Sequence, residues 1–382
     1  MNETEMICRA AALVKERGEA SWLASVVRVR GSAYRRAGAR LLFTREAAVA
    51  GSISAGCIEN ALVQSGSFFA ADRPVLRTFE AALPDDDEPQ PGSGCGGSVD
   101  VLIEPVVEGC ADTLAFIGEA LAGQQRVAMV TVVHSSSRFG GLGARVVRSG
   151  NQSLSVGCEL ALESELELFA RESLETGPAK ARCIRRGALE LLLEVLEPSP
   201  RLFVFGAGPD VPPLVSLASQ LGWDVTVVSR RDRPALRERF VGLPCRYVVS
   251  DAAALVPAIN RSTRALAVVM SHDFANDSDC LEALLQANPH YLGVLGPLAR
   301  TQRLLSEIEN RGGDVLGGLS RLHAPVGLNI GAETSAEIAL AIVAEAQARL
   351  KGADAQTLRE KSGPVHAPPL PDLRLALAEA AE

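Results

Sequence analysis

Thiols set among glycines are the first residues that could do chemistry. In PGSGCGGSVD, residues 91–100, Cys95 stands between Gly94 and Gly96, with Gly97 next, and in GSISAGC, residues 51–57, Cys57 closes a second glycine-rich turn. Glycine permits backbone conformations and close approaches that a side chain forbids. Such turns expose a thiol and its neighbouring N–H groups to whatever approaches. Upstream, VVRVRGSAYRRAGAR gathers Arg28, Arg30, Arg35, Arg36 and Arg40 in a chain of formal net charge −8, and Glu59 lies just beyond Cys57. Arginines near a thiol favour thiolate and hold phosphate or another anion by forked hydrogen bonds. The plainer meaning of the run is a solvated basic strand edge. Two thiols fall short of a structural zinc site, which takes four N or S ligands. Cys57 and Cys95 therefore suit a redox pair, or metal ligation as soft donors to an incoming cofactor.

A second group lies in the C-terminal half. FGAGPD carries Gly206, Gly208, Pro209 and Asp210 where a strand gives way to a helix, an arrangement that lets backbone N–H groups approach a phosphate. Val211 replaces the third glycine of the dinucleotide fingerprint, and the second strand ends in Ser229, Arg230 and Arg231 where an acid is expected. That trio fits a 2′-phosphate or another anion better than a plain ribose. VVMSHDFAND places His272 and Asp273, with Asp277 beyond, at the end of the fourth strand, which should face the first at the point where strand order reverses. Two later loops repeat the grammar of strand, glycine and helix: GVLGPLARTQ with Gly296 and Arg300, and APVGLNIGAETSAEI with Gly331 and Glu333. Each of these glycine loops serves equally well for tight helix-on-strand packing.

The elements that position these residues follow from periodicity. Residues 20–105 alternate apolar and polar types between glycine turns and read as strands, WLASVVRVR, ARLLFT, AVAGSIS and SVDVLIEP, interrupted by a short helix at CIENALVQSG. The acidic, proline-rich PDDDEPQPGSG reads as a mobile surface loop leading into Cys95. The pattern then recurs. VAMVTVVHSSSRFGGLGARVV echoes WLASVVRVRGSAYRRAGARLL, sharing Gly-Ala-Arg at 38–40 and 143–145; SVGCELALESEL echoes SAGCIENALVQS, and ALELLLEVLEP echoes SVDVLIEP. This is a degenerate duplication. The second copy keeps Gly157-Cys158 but has no GCGG, so a site here belongs to the first. From Arg201 the rhythm becomes strand, loop, helix, which indicates an α/β, doubly wound parallel sheet. Its last helix opens at a capping box of Thr334 and Glu337. The expected organisation is an α+β module over 1–110, its degenerate copy over 111–198, a Rossmann-like domain over 199–352 and a proline-rich tail over 353–382.

Composition bounds the function. With 382 residues, 47% hydrophobic and 22% charged, the chain is a multidomain globular protein. Its acidic balance disfavours nucleic acid and anionic membrane as partners. No stretch is apolar enough to span a bilayer, and MNETEMICRA lacks the features of a signal peptide, so a cytoplasmic location is expected. Eight cysteines with no C-x-x-C spacing are expected as free thiols, with Cys8, Cys110, Cys245 and Cys280 buried as small apolar residues.

Taken together, GSAYRRAGARLLFT, GSISAGCIENALV and GSGCGGSVDVLIEP resemble the signatures of the XdhC/CoxI family, the xanthine dehydrogenase accessory factors. FGAGPDVPPLVSLASQLGWDVTVVSRR, VVMSHDFANDSDCLEALL, YLGVLGPLARTQRLL and LHAPVGLNIGAETSAEIALAIVAE resemble its Rossmann-type C-terminal domain. The resemblance spans most of residues 10–350. It implies a maturation factor, most often without turnover of its own, that binds the molybdenum cofactor (molybdopterin), protects it while a cysteine desulfurase supplies its sulfido ligand, and passes it to an apo molybdenum hydroxylase of the xanthine dehydrogenase type. A homodimer is expected. On this chain Cys57 and Cys95 would be the thiols nearest the cofactor, and Gly94, Gly96 and Gly97 would shape its seat. Ser229-Arg230-Arg231 departs from the family's usual Asp-Pro-Arg, and Asn329 stands where Asp is usual. The alternatives are an NADP-dependent oxidoreductase that uses NADP or another nucleotide with His272 as acid or base, and a thiol redox sensor.

Overall fold

The computed structural model describes residues 1–31, 33–64, 73–80, 97–135, 140–176, 181–187 and 189–360. The chain divides into two compact units, one built on Glu3–Glu197 and the other on Met1–Asn2 with Pro198–Thr357.

The first unit runs α1 (Glu3–Glu16), β1 (Trp22–Arg30), β2 (Arg40–Phe43), β3 (Ala48–Gly51), α2 (Cys57–Gln64), β4 (Val75–Glu80) and β5 (Ser98–Pro105). It continues with α3 (Cys110–Ala122), β6 (Val127–Ser135), β7 (Gly140–Ser149), β8 (Gln152–Cys158), α4 (Leu160–Thr176), β9 (Arg182–Arg186) and β10 (Leu189–Leu196). These strands make two antiparallel sheets of identical order, β3-β2-β1-β5-β4 and β8-β7-β6-β10-β9, so the repeat legible in the residues is a repeat of topology. The expected strand at AVAGSIS stops at Gly51, because Ser52 and Ser54 turn toward α2.

Helix spacing dictates what each helix covers. Ile7, Cys8, Ala11 and Val14 form the buried stripe of α1, and Cys110, Leu114, Ile117 and Leu121 that of α3. The two stripes meet Leu23 and Leu42 of the first sheet and Val127, Met129 and Val147 of the second in one shared core. The opposite face of the first sheet is closed by Ile58 and Leu62 of α2, and that of the second by Leu162, Leu166, Phe169 and Ala170 of α4.

Charge also binds the two modules. Arg40 on β2 of the first pairs with Glu194 on β10 of the second, Nη2 to Oε2 at 2.5 Å, and Arg145 on β7 of the second pairs with Glu104 on β5 of the first. All four side chains are at most 5% exposed. The register is equivalent: Ser25 faces Arg40 and Leu23 faces Glu104 across β1, as Thr131 faces Arg145 and Met129 faces Glu194 across β6. Each arginine also donates to the carbonyl two residues back, Arg40 to Gly38 at 3.0 Å and Arg145 to Gly143 at 2.9 Å. A Cβ on either glycine would stand 2.9 Å from the partner glutamate's Oε1, and their φ values are +89° and +84°, which explains why Gly-Ala-Arg occurs twice. The counterpart of Glu104 is therefore Glu194. The echo of Glu-Pro at 104–105 and 197–198 misaligns the copies, and Glu197 instead binds Arg126 at 2.9 Å.

The second unit contains β11 (Arg201–Phe205), α5 (Val211–Gln220), β12 (Asp224–Ser229), α6 (Pro234–Glu238), β13 (Cys245–Val249), α7 (Ala252–Arg261), β14 (Ala265–Val269), α8 (Phe274–Gln286), β15 (Tyr291–Val294), α9 (Leu298–Asn310), β16 (Leu322–His323) and α10 (Ser335–Lys351). Its six strands are parallel throughout in the order β13-β12-β11-β14-β15-β16. This is an α/β, Rossmann-like sheet with an apolar core on each face, one under α5 and α10, the other under α7, α8 and α9. Order reverses between β11 and β14, as the strand rhythm requires. The capping box is present: Thr334 Oγ1 accepts from Glu337 N, and Glu337 accepts from Thr334 N at 2.8 Å. Two-residue β16 carries no strand pattern in the sequence.

Among the described residues no helix is long and apolar enough to cross a membrane. The seven cysteines within them are free thiols; Cys8, Cys110 and Cys280 are buried as expected, whereas Cys245 is half-buried.

Candidate functional site

Cys57 is the first residue of α2, half-buried, and its thiol lies 3.6 Å from Ser54 Oγ. Four donors shape the turn ahead of it by converging on Glu59. Oε1 accepts from Ile53 N at 2.9 Å and Ser54 N at 2.7 Å, while Oε2 accepts from Gly56 N at 3.2 Å and from the Ser54 hydroxyl. Burial alone would raise the Glu59 pKa, but these hydrogen bonds outweigh it and hold the carboxyl below its ordinary range. Glu59 thus locks the turn, and Gly56, at φ +114° with open space around its Cβ position, leaves the backbone beside Cys57 accessible.

The arginines of the run are placed differently. Arg40 belongs to the buried clasp, Arg35 pairs with Glu3, and Arg36 is exposed. Arg28 and Arg30 both reach Asp100, at 3.4 and 3.0 Å, and Arg28 also meets Glu190. Gly97 is half-buried just ahead of β5. Gly94, Cys95, Gly96 and the acidic loop before them lie outside the described residues. Among the described residues no three His, Cys, Asp or Glu side chains are grouped to hold a metal ion.

In the Rossmann-like unit the carboxyl ends of β11 and β14 meet. A Cβ on Gly206 would stand 2.4 Å from the Met270 carbonyl, and this glycine has φ +143°, so the crossing needs a residue without a side chain. Asp210 Oδ2 holds His272 Nε2 at 2.8 Å and bridges the two loops, and His272 has φ +60°, a conformation that non-glycine residues seldom take. Behind it, buried Asp277 accepts from Ser271 N at 3.1 Å and from Ser271 Oγ at 2.5 Å, and forms an ion pair with Arg300 at 2.9 Å. Asp273 caps α8 by accepting from Asn276 N at 3.1 Å.

At the β12 end one of the two arginines is paired. Arg230 binds Asp279 at 2.8 Å and lies 3.7 Å from Asp251; Ser229 Oγ donates to the Arg231 carbonyl at 2.9 Å; Arg231 is exposed. Gly296 has φ +127° ahead of α9, and Gly331 and Glu333 lie exposed in the loop before α10, where Glu333 N donates to Glu337 at 2.9 Å. Sequence reasoning missed Arg239, which donates to the Ala207 carbonyl at 2.9 Å and pins the glycine loop. Nothing in its surroundings, RERF, signals that role. It also missed Glu104 and Glu194, whose signal was the repeated arginine seeking a counter-charge.

A family model described as the XdhC Rossmann domain matches residues 202–346, and one described as the XdhC and CoxI family matches 14–80. A Bacillus subtilis (strain 168) protein described as a probable xanthine dehydrogenase subunit is 30% identical over 349 residues, 87% of this chain and 94% of that protein. The chain belongs to the XdhC/CoxI family. As a member of this family it is a xanthine dehydrogenase accessory-type protein, and the family ties it to molybdenum cofactor maturation. This XdhC/CoxI chain is also similar to a crystal structure described as a xanthine dehydrogenase from Bacillus halodurans, with TM-score 0.72, 26% identity, and coverage of 94% of this chain and 98% of that one. An uncharacterised Escherichia coli (strain K12) protein, YqeB, is 29% identical over 159 residues, 42% of this XdhC/CoxI chain and 29% of that protein.

Proposed function

We propose that the protein binds the molybdenum cofactor as cargo, holds it while its sulfido ligand is installed, and hands it to an apo molybdenum hydroxylase of the xanthine dehydrogenase type. The observation that carries this reading is Cys57: a half-buried thiol at the first residue of α2, in a turn fixed by Glu59, beside backbone left open at Gly56. A thiol is a soft donor suited to the metal or sulfur end of such a cargo. Cys95, with Gly94, Gly96 and Gly97, is proposed as its companion. Because Arg35 and Arg40 already hold carboxylates, exposed Arg36 is the arginine proposed to meet the cargo's anionic end. A cysteine desulfurase as sulfur source, assembly as a homodimer and a cytoplasmic location complete the proposal.

The test is to purify the chain from cells that make the cofactor and to measure molybdenum together with the fluorescent pterin released by oxidation. The expected result is the two in equal amounts. Absence of both, with NADPH bound and its hydride transferred, would replace this reading with the oxidoreductase. Absence of both, with a reversible Cys57–Cys95 disulfide, would replace it with the redox sensor.

A further inference from the structure

A Rossmann-like sheet binds a diphosphate at the N-terminus of its first helix, where N–H groups and the helix dipole meet negative charge. In this chain that seat has been dismantled from three sides. Pro209, Pro212 and Pro213 have no N–H, so three of the five residues from 209 to 213 can donate nothing, and Val211 N is already given to the Gly208 carbonyl at 3.3 Å. The protein's own carboxylate stands in the seat: Asp210 precedes α5, and its Oδ1 lies 2.4 Å from where a Gly208 Cβ would be, covering the glycine that should admit the pyrophosphate. The His272 ring closes the same position from the β14 side, its Cδ2 3.6 Å from that Cβ point, while Nε2 holds Asp210 in place. At the edge where a 2′-phosphate would need a cation, Arg230 faces Asp279 and Asp251.

We infer that Asp210 is a specificity-determining residue that makes the crevice refuse diphosphate-bearing nucleotides, despite its Gly206-Ala207-Gly208 turn. A phosphate entering here would meet a like charge, with few N–H donors to compensate. The same carboxylate has Oδ1 buried without a hydrogen-bond partner, which favours a guest bringing N–H or O–H donors over one bringing negative charge.

Calorimetry with inorganic pyrophosphate and NADPH tests this on the full chain. The wild type should bind neither. Asp210→Ser removes the charge while keeping a small polar residue ahead of α5, where no side-chain cap bond exists to be lost, and Pro209→Ala/Asp210→Ser also returns one N–H. Pyrophosphate affinity should rise by about tenfold or more in the single variant and further in the double. Circular dichroism identical to wild type establishes that each variant is folded. Binding of either probe by the wild type, or folded variants as inert as the wild type, overturns the inference.

Discussion

In the first antiparallel module Gly56-Cys57 leads into Glu59, whose carboxylate gathers the turn and leaves the thiol at the head of a helix. In the second, Gly157-Cys158 leads into Leu160, 79% exposed, at the position of that glutamate. With no carboxylate to fold the turn back, Cys158 stays at the end of β8, and its thiol donates to the carbonyls of Arg145 and Val156 at 3.6 and 3.5 Å. The clasp is the reverse case. Gly38-Arg40-Glu194 and Gly143-Arg145-Glu104 have kept the same chemistry in both copies, because each copy supplies the counter-charge the other needs. What is shared is thus the element that holds the modules together, and what has diverged is the turn that presents sulfur.

The largest effect should come from the shared part. Glu194→Ala leaves Arg40 buried without its counter-charge and should cost about 3–5 kcal/mol in urea unfolding, with Glu104→Ala matching it through Arg145. Replacing both members, as Arg40→Met with Glu194→Leu, should cost much less than either loss alone. Equal costs for the single and paired replacements would show that packing, not charge, joins the modules. Gly143→Ala should also destabilise, since its Cβ would meet both Glu104 and Pro74 at 2.9 Å.

A smaller effect belongs to the divergent turn. Glu59→Gln should cost about 1–3 kcal/mol by weakening the hydrogen bonds its carboxylate accepts. Because the folded pKa of Glu59 lies below its ordinary value of 4.5, this contribution is full above about pH 4.5 and is lost as pH falls through the folded value. The stability gap between wild type and variant, followed by denaturation from about pH 6 downward, should close on acidification. A constant gap would mean the charge is not involved. Leu160→Glu in the second module should change stability little, within about 0.5 kcal/mol, for an exposed position.

Much of this comparison was legible in the residues. Period-two strands, glycine turns and the recurrence of Gly-Ala-Arg announced the duplicated antiparallel modules, and strand–helix alternation announced the parallel sheet, because both patterns are local. Partnerships across the chain were not. Arg40 reads as one more cation in a basic run; its commitment to Glu194 arises from register between sheets, 154 residues apart. Glu59 stands in the sequence only as an acid two residues beyond a thiol; that it collects the N–H groups of the turn shows in the fold alone. Asp210 and His272 were placed at the right crevice by the rule of strand reversal, but their bond to each other depends on loop geometry that no spacing encodes.

The thiols offer a gentler probe. Burial pushes Cys8 up to about 11 and Cys110 and Cys280 up to about 12, so at mildly alkaline pH these three should resist iodoacetamide in the folded protein, while half-buried Cys57 should be alkylated ahead of them, as read by mass spectrometry. Alkylation of Cys280 or Cys110 ahead of Cys57 would contradict the packing described.

The central claim is that the cargo's sulfur-facing seat lies in the first module alone. Released pterin should be measured, per mole of protein, for wild type, Cys57→Ala and Cys158→Ala purified side by side from cells that make the cofactor. Cys57→Ala should lose most of its pterin and Cys158→Ala should keep the wild-type amount; equal retention in the two variants, or loss confined to Cys158→Ala, would contradict the account.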